Sequence, residues 1–223
     1  MALVESTLSR SIAPEPTAAK AYRALERLIV MLQLAPGSFV TEGTLIDRLG
    51  LGRTPVREAI QRLGWEGLLE IRPRAGIFIA PLHPADWIRV IDARRGVEVV
   101  LARSAARHIT REGSDRFHES ALAMQKAAIT GNVPAFLDAD KTLDEALAFA
   151  ASNDFAARLA APLQTHSRRF WFRYKADTGL AEAAENHVTL IRSILSGDED
   201  AAAKDAKRLM ALLRGHAEAA THR

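Results

Sequence analysis

The stretch that most constrains this chain runs from Leu49 to Ile79: LGLGRTPVREAIQRLGWEGLLEIRPRAGIFI. Thr54-Pro55 reads as a helix start, a hydroxyl at the N-cap followed by a residue whose missing N–H costs nothing at N1. Val56, Ala59, Ile60 and Leu63 then recur at helical spacing and make an inward face. Arg53, Arg57 and Gln61, each four residues apart, share another face. That face offers two guanidiniums and an amide, the groups suited to base edges and phosphates. Gly67 is placed to close the helix as its C′ residue. Leu69 to Arg72 and Ile77 to Ala80 read as two short strands joined by Pro73-Arg74-Ala75-Gly76, which puts Arg72 and Arg74 at a hairpin tip.

The flanking sequence completes a small module. A helix is expected over residues 17–34, with a stripe of Ala21, Leu25, Leu28, Ile29 and Leu32, closed by Pro36-Gly37. Thr41 can cap a short helix carrying Leu45, Ile46 and Leu49. Residues 17–80 therefore read as a winged helix-turn-helix with a small β-hairpin wing. Residues 1–16, with Pro14 and Pro16 and no period, read as a loose arm, and residues 81–84, bounded by Pro81 and Pro84, as a linker. From 85 to 223 the texture is alanine-rich and amphipathic with no strand signal. Helices are expected near 85–109, 113–130, 133–151, 154–174, 179–196 and 198–220. The breaks fall at Glu112-Gly113, Gly131-Asn132, Ser152-Asn153, Asp177-Thr178-Gly179 and Gly197-Asp198. The fold class is mainly α: the winged module, then an all-α six-helix bundle.

With 223 residues, 48% of them hydrophobic, the chain can bury a sizeable core. The absence of cysteine rules out disulfides and thiolate metal sites. No signal-like N-terminus and no membrane-length apolar run is visible, so a cytoplasmic protein with no membrane partner is expected. A net charge of +3 says little about nucleic acid, but its distribution says more. Residues 44–80 hold six arginines (48, 53, 57, 62, 72 and 74) against four acids (Asp47, Glu58, Glu66 and Glu70).

Polar residues interrupt the apolar stripes of the second domain. Arg94 and Glu98 fall between Trp87, Ile91, Val97 and Leu101. Asp140 and Asp144 fall among Phe136, Leu143, Leu147 and Ala150. His166 and His187 are flanked by apolar residues on their own helices. Charges are rarely buried unless paired or metal-bound, so one polar pocket inside the bundle is expected. Two carboxylates one turn apart need a proton or a cation between them. With imidazole added, the donors suit zinc, nickel, manganese or iron. Arg94 could grip a ligand carboxylate through a bidentate fork. Blander readings stand beside these: Arg94 and Glu98 pairing with each other, His166 as a hydrogen-bonded core residue, and Asp140 and Asp144 joining Asp138 and Glu145 on a solvated face. Arg168, Arg169 and Arg173 read as a solvated face or dimer rim.

Residues 20–80 resemble the winged helix-turn-helix of the GntR family of bacterial transcription regulators. The residues that carry this are Pro36-Gly37, Leu49-Gly50, Arg53-Thr54-Pro55-Val56-Arg57-Glu58-Ala59, Arg62-Leu63, Glu66-Gly67-Leu68 and Gly76. Residues 85–220 resemble the FCD-type helical ligand domain of its FadR-like subgroup, on Arg94 with Glu98, Asp140 with Asn153, and His187 with Leu190, Ile194 and Gly197-Asp198. The resemblance implies a homodimer that reads the two half-sites of a double-stranded operator. It gives Arg53, Thr54 and Arg57 DNA contacts and places Gly76 of the wing in the minor groove. Gly43 and Gly52 occupy positions where relatives often carry polar, DNA-contacting side chains. Many relatives bind a divalent metal through an aspartate, a histidine four residues later and two further histidines. Asp140 and His187 match; Asp144 replaces one histidine and Leu209 another, with His166 a candidate substitute. An arginine at the place of Arg94 often lies near a carboxylate effector, typically a small organic or sugar acid.

The expectation is thus a ligand-responsive DNA-binding regulator, a repressor rather than an activator, with no catalytic residues. The DNA-binding set is Arg53, Thr54, Arg57, Gln61, Arg74 and Gly76. The effector set is Arg94, Glu98 and His166, and the metal set Asp140, Asp144 and His187, for zinc, nickel or manganese. The alternative is a metal-dependent enzyme in the helical domain, with the winged helix as a docking module, although no nucleophile motif or glycine-rich phosphate loop is visible.

Overall fold

The computed structural model describes residues 15–175 and 179–222. Most of the expected N-terminal arm, and Asp177-Thr178 of one expected break, lie outside those residues. The first module comprises α1 (Thr17–Val30), β1 (Phe39–Val40), α2 (Glu42–Leu49), α3 (Arg53–Trp65), β2 (Leu69–Arg72) and β3 (Gly76–Ile79). Helices α4 (Pro84–Arg107), α5 (Arg111–Ile129), α6 (Val133–Ala151), α7 (Asp154–Tyr174), α8 (Gly179–Leu195) and α9 (Glu199–Thr221) form the second domain.

Two cores result. Leu25, Ile29, Leu45, Val56, Ile60, Leu63 and Ile79 meet in the first. The second is built on Trp87, Ile91, Phe117, Leu147 and Ile194. The stripe expected for α3 is the buried one. Helix α1 serves both cores: Ala21, Leu25 and Ile29 pack in the first, Val30 and Met31 in the second.

The structure corrects several local expectations. Helix α1 ends at Val30, because Leu32 turns left-handed at φ 55°. The Leu32 N–H then reaches the Ile29 carbonyl and the Gln33 N–H the Leu28 carbonyl, closing the last turn in a Schellman arrangement. Helix α3 starts two residues early, with Gly52 at the N-cap and no side-chain cap, so Thr54 lies inside its first turn. Glu112-Gly113 is no break. Thr110 caps α5 and accepts from the Gly113 N–H, and Gly113 is buried. Pro84 opens α4 at its first turn rather than ending a linker. At the end of α3 the reading holds: Gly67, at φ +76°, donates to the Gly64 carbonyl while Leu68 donates to Leu63.

The hairpin lies in a three-stranded antiparallel sheet of order β1-β3-β2. The strand β1 went unread because two residues carry no period. Phe39 pairs with Phe78 and Arg72 with Gly76. Gly76 has φ +105°, and a Cβ there would lie 2.9 Å from the Val40 carbonyl oxygen. The sheet itself therefore demands glycine at that position.

Candidate functional site

The exposed face of the first module forms as the helical spacing requires. Arg53, Thr54, Arg57 and Gln61 are all exposed on α3, and Arg74 is exposed at the hairpin tip in a left-handed turn. Gly76 is half-buried. Arg57 is steered by a residue that the sequence did not single out: its Nε donates to Glu42 Oε1 of α2 at 2.8 Å. The Arg72 guanidinium lies over Phe78, its carbon 4.0 Å from the ring centroid, and pairs with Glu70. An arginine held on an aromatic face keeps its fork presented outward at little entropic cost.

A second constellation lies inside the bundle. Arg94 donates from Nε and Nη2 to the two Glu98 oxygens at 2.9 and 3.1 Å, both side chains being buried. The pair expected as one of the blander readings therefore forms, and Arg94 also reaches Asp144 at 3.5 Å. Asp140 and Asp144 are buried, not on a solvated face. His187 stacks edge-on against Phe136, its Nδ1 facing the Ala183 carbonyl at 2.6 Å and its Nε2 facing Asp140 Oδ1 at 3.0 Å. Both partners are acceptors, so both ring nitrogens carry protons and the ring is a cation. Burial pushes His187 down, but the Asp140 bond and charge outweigh it and raise its pKa. Burial likewise pushes Asp140 up, and His187, Arg168 and Arg94 together bring it well below the carboxylate range. Asp144, raised by burial and by the Asp140 charge, moves up to about 7.

The largest miss is Arg168, expected on a solvated face or dimer rim. It is 6% exposed and at the centre of the cluster. Its Nη1 contacts Asp144 Oδ2 and lies 3.6 Å from Asp140 Oδ2; its Nη2 reaches Thr165 Oγ1 at 3.0 Å and Glu26 Oε1 at 3.4 Å. Glu26, on α1, was also missed. It is 2% exposed, accepts from Thr165 and is paired with Lys141 of α6. The one available signal was an acid inside the α1 stripe, one residue after Leu25. Arg169 is buried too and donates to the Ala80 carbonyl at 2.6 Å; burial alone lowers its pKa to about 10.

Arg94, Asp140, Arg168 and His187 line a cavity of about 20 Å³, closed on other sides by Trp171 and Leu213. That is room for one water molecule. His166 does not line it. Its Nε2 donates to the Glu66 carbonyl at 2.8 Å, across the junction between α7 and the end of α3. His166 therefore leaves the effector set, and it cannot replace a missing imidazole ligand.

The metal set does not fit a divalent ion. No group of three or more potential ligands is assembled among the described residues. Both His187 nitrogens are engaged, and Arg168 stands between the two carboxylates. Helix α9 presents Leu213 to the cavity, and Leu209, one turn earlier, is buried in the apolar core.

Residues 17–79 match the model described as bacterial regulatory proteins, gntR family, and residues 89–216 match the FCD domain. A protein of Paenarthrobacter nicotinovorans named "Probable D-xylose utilization operon transcriptional repressor" is 28% identical over 170 residues, 76% of this chain and 75% of the relative. The Escherichia coli K12 repressor RspR is 33% identical over 115 residues, 52% of this chain and half of that protein. Among solved structures, Escherichia coli McbR/YncC matches with a TM-score of 0.74 at 18% identity, over 89% of this chain and 97% of its own. A GntR regulator from Rhodococcus sp. RHA1 matches with a TM-score of 0.71 at 17% identity, over 91% and 97%.

Proposed function

Because the chain belongs to the GntR family of bacterial regulatory proteins, in its FCD-domain branch, we propose that it is a transcriptional repressor released from its operator by a small carboxylate ligand. Regulators of this family bind operator DNA, and relatives of this chain are named as transcriptional repressors. The enzyme alternative draws no support from these relatives. No helix among the described residues is long and apolar enough to cross a membrane, and a DNA-binding regulator belongs in the cytoplasm.

The observation that carries ligand control is the double engagement of Arg168. It lines the bundle cavity and bonds Glu26 of the DNA-reading module. A ligand carboxylate that takes Arg94 or Arg168 from its present partners changes how α1 is held, and so biases operator affinity by linkage. The cavity must open to admit such a ligand, since it now has room for one water. The test is a thermal-shift screen of small carboxylic acids, followed by titration of the full chain onto DNA from upstream of its own gene. A hit should stabilise the protein, weaken DNA binding, and lose both effects in Arg94→Ala. If no acid does so, the effector reading fails.

A homodimer is part of this proposal. Leu122 and Ile129, seven residues apart on one face of α5, are 67% and 86% exposed. Such large apolar side chains on one face favour a partner. Two copies would place two α3 helices in successive major grooves of a near-palindromic site.

A further inference from the structure

Four buried or half-buried carboxylates, Glu26, Glu98, Asp140 and Asp144, meet Arg94, Arg168, Lys141 and His187. Asp140 and Asp144 lie one turn apart on α6, where two anions in a low dielectric require a cation between them. The group found there is the Arg168 Nη1, in contact with Asp144 Oδ2 and 3.6 Å from Asp140 Oδ2. On the opposite side of Asp140 stands the His187 Nε2, 3.0 Å from Oδ1. The carboxylates of Asp140 and Asp144 thus share one guanidinium through their Oδ2 atoms, while His187 binds Asp140 from its other side. A metal needs unprotonated donors with lone pairs converging at about 2 Å, whereas a guanidinium needs only acceptors spread around a planar fork. The side chains are arranged for the second. Thr165 Oγ1, at 3.0 Å, and Glu26 Oε1, at 3.4 Å, both on Nη2, complete the coordination of the guanidinium rather than of an ion.

We propose that Arg168 is the resident cation of the Asp140–Asp144 pair, so that this chain works without a divalent metal. Without Arg168 the two carboxylates lose the charge between them. The inference concerns metal content and stands apart from the identity of the effector.

The test compares wild type, Arg168→Ala and Arg168→Lys as purified full-length chains. Metal content is measured, then melting temperature with chelator and with zinc, nickel or manganese chloride. Wild type and Arg168→Lys should carry no stoichiometric metal and should show no shift with chelator or metal. Arg168→Ala, which leaves the two buried carboxylates without their cation, should melt lower than Arg168→Lys, with or without added metal. A wild-type chain that holds one metal per chain and melts lower after chelation overturns it. So does an Arg168→Ala chain that melts no lower than Arg168→Lys. If that variant does not fold under any condition, metal analysis of wild type and Arg168→Lys decides the question alone.

Discussion

Arg57 stands in the open on α3, its Nε fixed by Glu42 across the turn from α2. If it makes a bidentate base contact, Arg57→Ala should weaken operator binding by about 1–3 kcal/mol, read by fluorescence anisotropy; an unchanged affinity would remove α3 from the DNA-reading role. Gly76 is constrained from the other direction. With φ +105° and the Val40 carbonyl oxygen 2.9 Å from any Cβ, Gly76→Ala should cost about 1–3 kcal/mol of stability in urea unfolding, before any effect on DNA. His166 offers a pH test. Burial lowers its pKa below the ordinary 6.5, the Glu66 carbonyl acting in the opposite direction and Arg169 adding to the depression. A depressed folded pKa means that the neutral ring's contribution is complete above 6.5 and lost as pH falls below it. On moving from about pH 7.5 to about pH 5.5, wild type should therefore lose more melting temperature than His166→Gln, which keeps a donor but cannot protonate.

At the scale of elements, α1 is the piece that joins the two domains. Its charged residues meet those of α6 in antiparallel order: Arg23 with Glu145, Glu26 with Lys141, Arg27 with Asp138. The two outer pairs are half-exposed and so worth about 0–1 kcal/mol each, weak enough to release. Glu26 differs because it is buried beneath Lys141 and Arg168. Glu26→Ala should destabilise the chain toward the low end of about 3–5 kcal/mol, since Lys141 loses its carboxylate while Arg168 keeps Asp144. Denaturant unfolding measures this, and a loss below that of a surface pair would show that α1 is not anchored there. Helix α7 supplies the remaining ties: His166 to Glu66, Arg169 to Ala80 and Tyr174 to Leu82. None of these ties has a signature in periodicity, because each joins a side chain to a carbonyl distant in the chain.

For the whole molecule, the proposed DNA-reading role predicts that operator affinity falls steeply with salt, because phosphate contacts by residues such as Arg53, Arg57 and Arg74 would release counterions. A salt-independent affinity would argue against DNA as the partner. The proposed dimer face is tested by Ile129→Glu: if the chain is a dimer through α5, this change should shift its light-scattering mass to that of a monomer while leaving the fold intact. The two-domain division and the stripes of α3, α4 and α6 were legible, because long amphipathic helices write their inward face into the sequence at a fixed period. Arg168 and Glu26 were not. A single charged residue in a stripe has the same appearance whether it faces water or an opposite charge on another helix. Asp144 was legible as buried but not as bonded to Arg168, since its partner lies on α7.

The order of the helices and the hairpin, the exposed polar face of α3, the glycine close at Gly67 and the existence of a polar centre in the bundle were determined by sequence alone. Propensity, capping chemistry and hydrophobic period are local, and these features follow from them. What only the tertiary structure decided is how that polar centre is satisfied. Two buried carboxylates one turn apart need a cation between them, and which one they get depends on the side chain that a neighbouring helix brings there. Here α7 brings Arg168, and α1 brings Glu26 to hold it. Long-range charge pairing of that kind becomes visible only once the helices are packed.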